Sequence, residues 1–538
     1  MLSSKITVAL PKSGIIIRRT GQYKYVYKTL ETFRNEKGQP TNKRKLIGRL
    51  DSTEQRLVPN DNYYELYEPE LSMDSLIESG NASVVSVGVP FAVTATLTRL
   101  GVTGILNDVF DANRASAIMT AVAYMISQGN VFEHVAHWCE DSIVNGAVLT
   151  PQKSSALFAS ITHDERMAFF KKWISAVSPQ GYFAYDVTSF SSYAKGIIDL
   201  EWGYNRDGDR LPQINLGCYL SQELNLPMFY VTYPGSIVDK SHFTYMMAYN
   251  EELGISDNIV FVMDRGFCST INIDYMHSDG IRYIMGVNTH TKATGAAIDS
   301  VRDKIISLRN VVGEGVYALS EYGRYYGETS TIHVYNNPEL GERQRADLLR
   351  TIEDTETKLQ QMNTLTDKEV RRFSRFFDIE VVNGSVSYVR NYDRIDEASK
   401  ICGFFCILTN TSLQSKEVLE IYKNKDVIEK GFDDIKNHID MKRLRVHSDA
   451  TVAGKLFCAF IALIATSEMT NCLHEYYDAI EKRIPSKRTL VNELDKIRII
   501  GTSSKWRLIN PLSKTVRTLL DALKFTDDDL LKLTSADF

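Results

Sequence analysis

The sequence predicts an α/β protein, its sheet-and-helix core preceded by a small basic β-sheet and an all-α segment. Three observations carry this. Tyr23, Tyr25 and Tyr27 alternate with Lys24, Val26 and Lys28, the period of a half-buried strand. From about Leu71 to Ser178 the apolar spacing turns helical. From Tyr182 onward short apolar runs alternate with turns and helical stretches, the pattern of an α/β core.

The N-terminal sheet runs from about Gly14 to Asp51. Asn35-Glu36-Lys37-Gly38-Gln39-Pro40 supplies its turn, and Lys45-Leu46-Ile47-Gly48-Arg49 continues the alternation. The chain of 538 residues has a formal net charge of −5, which does not announce a nucleic-acid binder. The balance is local, however. Up to Arg49 the basic residues Lys5, Lys12, Arg18, Arg19, Lys24, Lys28, Arg34, Lys37, Lys43, Arg44, Lys45 and Arg49 face only Glu31 and Glu36, while Asp527-Asp528-Asp529 closes the chain on an acidic run. A basic face interleaved with aromatics suits nucleic acid. Lysines that guard an exposed sheet edge would look the same.

In the helical segment, Phe91–Leu100, Ala115–Ser127, Val131–Cys139 and Asp164–Ala176 have helical spacing. Such a module can place a helix in the major groove of DNA, though none of its residues requires that role. His134, His137 and Cys139 lie close together there without a fourth ligand, and a packing or capping role accounts for them. The seven cysteines are odd in number, scattered and free of a CxxC, so neither a disulfide framework nor a thiolate zinc site is indicated, and a reducing cytoplasm fits. The start lacks the apolar core of a signal peptide. The most apolar run, 456–465, falls short of the roughly 20 residues of a membrane span and reads as a buried helix.

The core begins with the strand Tyr182–Thr188. A Ser/Tyr loop and a Gly/Asp/Arg turn at 205–210 follow, then a hairpin of Ile214–Leu220 and Met228–Tyr233. Asp239 caps a helix over Phe243–Leu253, and Ile259-Val260-Phe261-Val262-Met263 is a strand ending on Asp264. The strand Tyr283–Val287 comes next. Between Asn288 and Lys400 strand-like pieces near Gly315–Val334 and Ile379–Tyr392 flank a charged helical segment, 339–377, and the whole reads as an inserted domain. Gly403–Asn410 resumes the core.

Two carboxylates thus stand at strand ends, Asp186 and Asp264, where α/β sheets build their sites. A third lies on the stretch Ile421–Lys436. Read as one helix at about 100° per residue, this stretch puts Tyr422, Lys425, Glu429 and Lys436 within an arc of roughly 60°. Alone, that face is an ordinary salt-bridged surface. With two strand-end acids it becomes part of a constellation, because three carboxylates can hold two divalent cations for in-line phosphoryl displacement. All-oxygen ligands suit magnesium, with manganese as a substitute. Asp426 and Asp433 rival Glu429 for the third place, within about 60° of it.

Tyr-Asp-Val-Thr-Ser around Asp186, Val-Met-Asp-Arg-Gly-Phe around Asp264, and Tyr-x2-Lys-x3-Glu-x6-Lys from Tyr422 to Lys436 resemble the three signatures of the DDE transposases of bacterial insertion sequences. The third is similar to the branch whose signature is Tyr-x2-Arg-x3-Glu-x6-Lys. The separations of 78 residues (Asp186 to Asp264) and 165 (Asp264 to Glu429) leave room for that branch's inserted domain. The Pro234–Asp239 stretch and the strand ending Leu408-Thr409-Asn410 are similar too.

The resemblance implies an RNase H-like core in two parts, 179–288 and 401–475, split by an inserted domain at 289–400. A basic sheet region (1–70) and a helical, DNA-binding module (71–178) precede it, and a C-terminal region (476–538) follows. It further implies that Asp186, Asp264 and Glu429 are the catalytic acids holding two Mg2+ ions, with Mn2+ as substitute, and that Tyr422, Lys425 and Lys436 contact DNA. The expected partners are terminal inverted repeats and target DNA, bound by a dimer in the synaptic complex, with no membrane. The expected setting is a prokaryotic cytoplasm, at the nucleoid. One residue departs from the pattern: Lys425 stands in place of the family's arginine, keeping the charge and losing the bidentate fork. Two other readings fit parts of the sequence, a catalytically silent DNA-binding descendant of a transposase and a carboxylate-pair glycan hydrolase.

Overall fold

A computed structural model describes residues 7–530 and 532, apart from 52–55, 80–81, 144–147, 204–209, 256–257, 363, 383–384, 503–504, 510 and 527. Most of the turn expected at 205–210, and Asp527 of the acidic run, lie outside the described residues.

The N-terminal sheet is a four-stranded meander, β1 (Ile15–Thr20), β2 (Tyr23–Arg34), β3 (Pro40–Leu50) and β4 (Leu57–Pro59). Its turn is held by Asn35, whose Oδ1 accepts from the backbone N–H of Lys37 and of Gln39. Val26, Ile47, Leu50 and Leu57 pack one face onto Tyr63 of the helix Asp61–Tyr67. Arg507 donates to Asp61 at 2.9 Å, tying this unit to the C-terminal part of the chain.

The helical segment does not close on itself. Its short strand β5 (Ser83–Ser86) pairs with a strand at Arg498–Thr502, and its helices pack against the helix Asp449–Ala479. That helix is 31 residues, longer than the ten-residue run anticipated. By length and composition it could cross a membrane, yet 83% of its most apolar window is buried inside the protein. Gly454 shows how close the packing is, since a Cβ there would run into the carbonyl of Phe158. The rings of Phe110, Phe169 and Phe170 lie 5–6 Å from Phe457 on the same helix.

The central sheet has nine strands. In chain order they are β6 (Tyr182–Ser191), β7 (Gln213–Ser221), β8 (Leu226–Pro234), β9 (Val260–Met263), β10 (Arg282–Val287), β11 (Val311–Gly313), β12 (Val316–Tyr325), β13 (Glu328–Asn336) and the strand Phe404–Thr409. Across the sheet the order is β11-β12-β13, then Phe404–Thr409, then β10-β9-β6-β7-β8. β6, β9 and β10 run parallel, and the other neighbours are antiparallel. The stretch 289–400 therefore divides in two. Its first strands extend the core sheet, because β13 pairs along its length with Phe404–Thr409. The helix Pro338–Gln361, the hairpin Phe377–Val382/Ser385–Arg390 and the helix Tyr392–Lys400 gather around Ile352, Leu359, Phe373, Phe376 and Phe377 as a separate cluster.

Candidate active site

The register of the sheet places the first two acids. Tyr185 of β6 stands opposite Met263 of β9 in a parallel pair, so the next residues, Asp186 and Asp264, stand side by side. Asp264 follows the last residue of β9, whereas Asp186, expected at a strand end, lies mid-strand, because β6 runs on to Ser191 paired with β7. Parallel neighbours are about 4.8 Å apart. Burial explains the local pattern: Tyr185 and Val187 are buried around half-exposed Asp186, and all four residues of β9 are buried before the chain turns out at Asp264. Asp186 Oδ1 accepts from the N–H of Val187 at 2.7 Å.

The third element differs from the single helix expected over Ile421–Lys436. It is a helix Ser415–Lys423, a second helix Asp426–Asp433 and a π turn Asp434–His438. Between the helices the N–H groups of Lys425, Val427 and Ile428 bond three residues back, to Tyr422, Asn424 and Lys425. Such bonds overwind a helix, and the π turn then underwinds it. One uniform angular arc therefore does not describe the four residues. Tyr422 is carried onto the sheet, where its hydroxyl donates to Asp264 Oδ1 at 3.2 Å. The ring needs Gly286 of β10, since a Cβ at that position would strike the phenol oxygen. Lys436, expected to contact DNA, is buried in the π turn.

Lys425 links the acids. Its Nζ donates to Glu429 Oε1 at 3.1 Å and lies 5.6 Å from the centre of the Tyr422 ring. Burial pushes the ammonium's pKa down. The hydrogen bond and charge of Glu429 outweigh that, with the charges of Asp264 and Asp186 adding to it, and hold it above the usual lysine value. Tyr422 is likewise raised, by burial first and then by the charge and hydrogen bond of Asp264, with a smaller part from Glu429, so the phenol stays a donor. All three acids thus act on the ammonium, and Asp264 and Glu429 on the phenol. Glu429 is the outer member, its side chain 60% exposed against 17% for Lys425.

The donor set fits a hard divalent cation: three carboxylates, no sulfur or imidazole, and one lysine among them. The acids surround Lys425 without drawing their oxygens into a tight cluster. Among the described residues the one group of three ligand atoms within 4.8 Å of one another is Asp433, Asp434 and His438. There Asp434 is already ion-paired with Lys487, and His438 Nδ1 lies 3.2 Å from its Oδ1. Asp433, a rival for the third place, accepts from Asn437, and Asp426 lines a separate cavity of about 820 Å³ with Lys423, Lys430 and Lys487.

Sequence reasoning missed the wall beside Asp264. A cavity of about 570 Å³ is lined by Asp264, Arg265, His290, Gln344, Arg375 and Tyr422, among others. Burial, then Arg375 and Arg265, hold His290 below its usual pKa. Arg265 had a visible signal, being the next residue after Asp264. Arg375 and Gln344 come from the 289–400 stretch, and no local pattern links them to the acids.

Carboxylates on neighbouring strands, linked through Tyr422 and Lys425 to a helix-borne glutamate, define a polar site of the kind that serves metal-assisted chemistry. The chain belongs to the transposase DDE domain family, which it matches over residues 179–465. Among solved structures, it is similar to the cryo-EM structure of the piggyBac transposase synaptic complex with hairpin DNA. That likeness covers 79% of this chain and 76% of that one, at 9% sequence identity and a TM-score of 0.34. No curated protein matches the chain.

Proposed function

We propose that the protein is the transposase of a bacterial insertion sequence, cutting DNA at the element's terminal inverted repeats and joining the freed ends to target DNA. The observation that carries this is the linkage of the three acids, with Asp186 set beside Asp264 by the sheet register, Tyr422 bonded to Asp264, and Lys425 against the Tyr422 ring bonded to Glu429, inside the region matched by the family. The order β8-β7-β6-β9-β10, with the last three strands parallel, supports an RNase H-like core.

Asp186, Asp264 and Glu429 would hold two divalent ions, Mg2+ or Mn2+. When bound, these ions supply an activated nucleophile and charge stabilisation at the leaving oxygen. The remaining roles belong to the chain's own groups. Tyr422 fixes the rotamer of Asp264 through its hydroxyl. Lys425 keeps Glu429 in place and offers a positive charge to a DNA phosphate, without an arginine's planar bidentate fork. Lys436 lies buried in the π turn that follows the Glu429 helix and is not counted among the DNA contacts. Two ends must be cut together, so the working form on DNA is a dimer, acting on the nucleoid of a prokaryotic cell.

The test is cleavage of duplex DNA carrying the inverted repeats that flank the coding region, with and without Mg2+. Wild-type protein should cut in Mg2+ alone, and Asp264→Asn should bind without cutting. Binding by both proteins with cutting by neither would instead identify a silent DNA-binding descendant.

A further inference from the structure

We infer that the β2–β3 hairpin is a DNA-reading ribbon that enters the major groove of double-stranded DNA, away from the carboxylate site. The inference builds on the transposase reading, which makes DNA the partner.

The geometry comes first. β1 pairs with β2 only over Tyr23–Lys28, and β4 pairs with β3 only over Gly48–Leu50. Beyond Lys28 no further strand among the described residues pairs with the hairpin, which runs from Thr29 to Arg34 and back from Pro40 to Arg44. At about 3.3 Å per residue this arm projects roughly 20 Å. The major groove, about 12 Å wide and 8.5 Å deep, admits a two-stranded ribbon without the widening of the duplex that entry into the minor groove, about 6 Å wide, requires. The arm is also ordered along its length: Thr32 bonds Asn42 across the strands at 2.7 Å, and Asn35 holds the tip.

Its chemistry fits the same partner. Between Ile15 and Leu50 there are ten lysines and arginines against Glu31 and Glu36, in a chain whose net charge is −5. Glu31 stands opposite Lys43, so that acid is matched within the arm. At the base, on the face away from the helix Asp61–Tyr67, Tyr25 stands in register between Arg18 and Arg49. The Arg49 guanidinium lies 4.7 Å from the Tyr23 ring centre, and that of Arg18 5.8 Å from Tyr27. Arginines stacked on aromatic rings keep their N–H edges free for phosphates or guanine. Ile17, Tyr23, Leu30 and Phe33 are 41–45% exposed, apolar groups suited to thymine methyls. An edge built only to resist aggregation would carry lysines without such exposed apolar neighbours.

The experiment titrates full-length protein onto a random-sequence duplex over a salt series. The variant R34A/K37A/K43A alters only exposed side chains, so its melting temperature should match wild type. Its affinity should fall across all duplex sequences, and the slope of log K against log salt should flatten by about 0.9 for each phosphate no longer neutralised. R18A/R49A, which spares the tip, should weaken binding as well. Methyl green, a major-groove ligand, should compete, and netropsin, a minor-groove ligand, should not. Unchanged affinity and slope in both variants overturn the inference, as does competition by netropsin alone. A change of oligomeric state with an unaltered slope also overturns it, by making the ribbon a protein-binding element. Cleavage is scored separately. Ribbon-dependent binding by a chain that never cuts would sink the transposase reading and leave this one standing, and cutting with ribbon-independent binding would do the reverse.

Discussion

The hydroxyl of Tyr422 donates to Asp264 Oδ1 at 3.2 Å, and the space for its ring is left by Gly286 on the neighbouring strand. Three elements distant in sequence thereby meet at one point. A hydrogen bond to a charged group is worth about 1.5–3 kcal/mol. Tyr422→Phe should therefore lower the rate of DNA cleavage about tenfold or somewhat more, with little change in melting temperature. Gly286→Ala should cost more, because its methyl displaces the phenol. Since the nearest clash is with the hydroxyl oxygen itself, the double variant should recover part of the Gly286→Ala loss. Strictly additive rates for the two changes would mean that the residues are not coupled.

Lys425 tests whether the departure from the family's arginine matters. The ammonium serves Glu429 directly and Asp264 and Asp186 through space. Because its pKa is raised, the interaction is fully present below the ordinary lysine value near 10.5 and is lost only as pH climbs through the higher folded-state value. At neutral pH it is always on. Lys425→Arg should stay within about threefold of wild-type cleavage, and Lys425→Gln should lose about tenfold to a hundredfold, the effect of one charge-assisted bond. Equal activity of all three proteins would remove the charge from the mechanism.

Much of this site was legible in the sequence because a lone acid in a buried apolar run announces itself. Asp264 follows the buried strand β9, and Asp186, expected at a strand end, interrupts a run that stays buried on both sides of it. The helix carrying Glu429 was legible in content and not in form. A uniform 100° step cannot anticipate three short-range bonds around Asn424 followed by a π turn, since both respond to packing against the sheet. Lys436 was misplaced for that reason. The strands of 289–400 were seen as strands, but nothing local tells that β13 will pair with Phe404–Thr409, some 70 residues on, rather than with a sheet of its own. Arg375 reaches the cavity beside Asp264 by the same long-range route.

Acid stability is predicted by the helical segment. Arg114 grips Glu165 with two donors, Nη1 to Oε1 at 2.6 Å and Nη2 to Oε2 at 2.9 Å. That bond, with help from the Thr162 cap, holds the Glu165 carboxyl down to about 2, against 4.5 ordinarily. A depressed carboxyl stabilises the fold fully above its unfolded value and loses that contribution as pH falls through the folded one. The melting temperature should thus drop between about pH 4.5 and pH 2, and Glu165→Gln should be less stable at pH 7 and lose less over that interval. A parallel acid limb in the two proteins would assign the loss to other carboxylates.

Cation binding separates the proposed acids from their rivals on the same helix. A ligand that binds only the folded state raises stability by mass action, about 2.7 kcal/mol at a hundred times its dissociation constant. Mn2+ should therefore raise the melting temperature of the wild type and fail to do so in Asp264→Asn and Glu429→Gln, both of which should also lose cleavage while retaining DNA binding. Asp426→Asn and Asp433→Asn should keep the shift and the activity. The second of these is the sharper control, because Asp433, Asp434 and His438 already bring three ligand atoms within 4.8 Å. Lys487 already pairs with Asp434 there, whereas the charges of Asp186, Asp264 and Glu429 all bear on Lys425. If Asp433→Asn removed the Mn2+ shift and Glu429→Gln kept it, the third ligand would be Asp433, and Glu429 would be left as the partner of Lys425 alone.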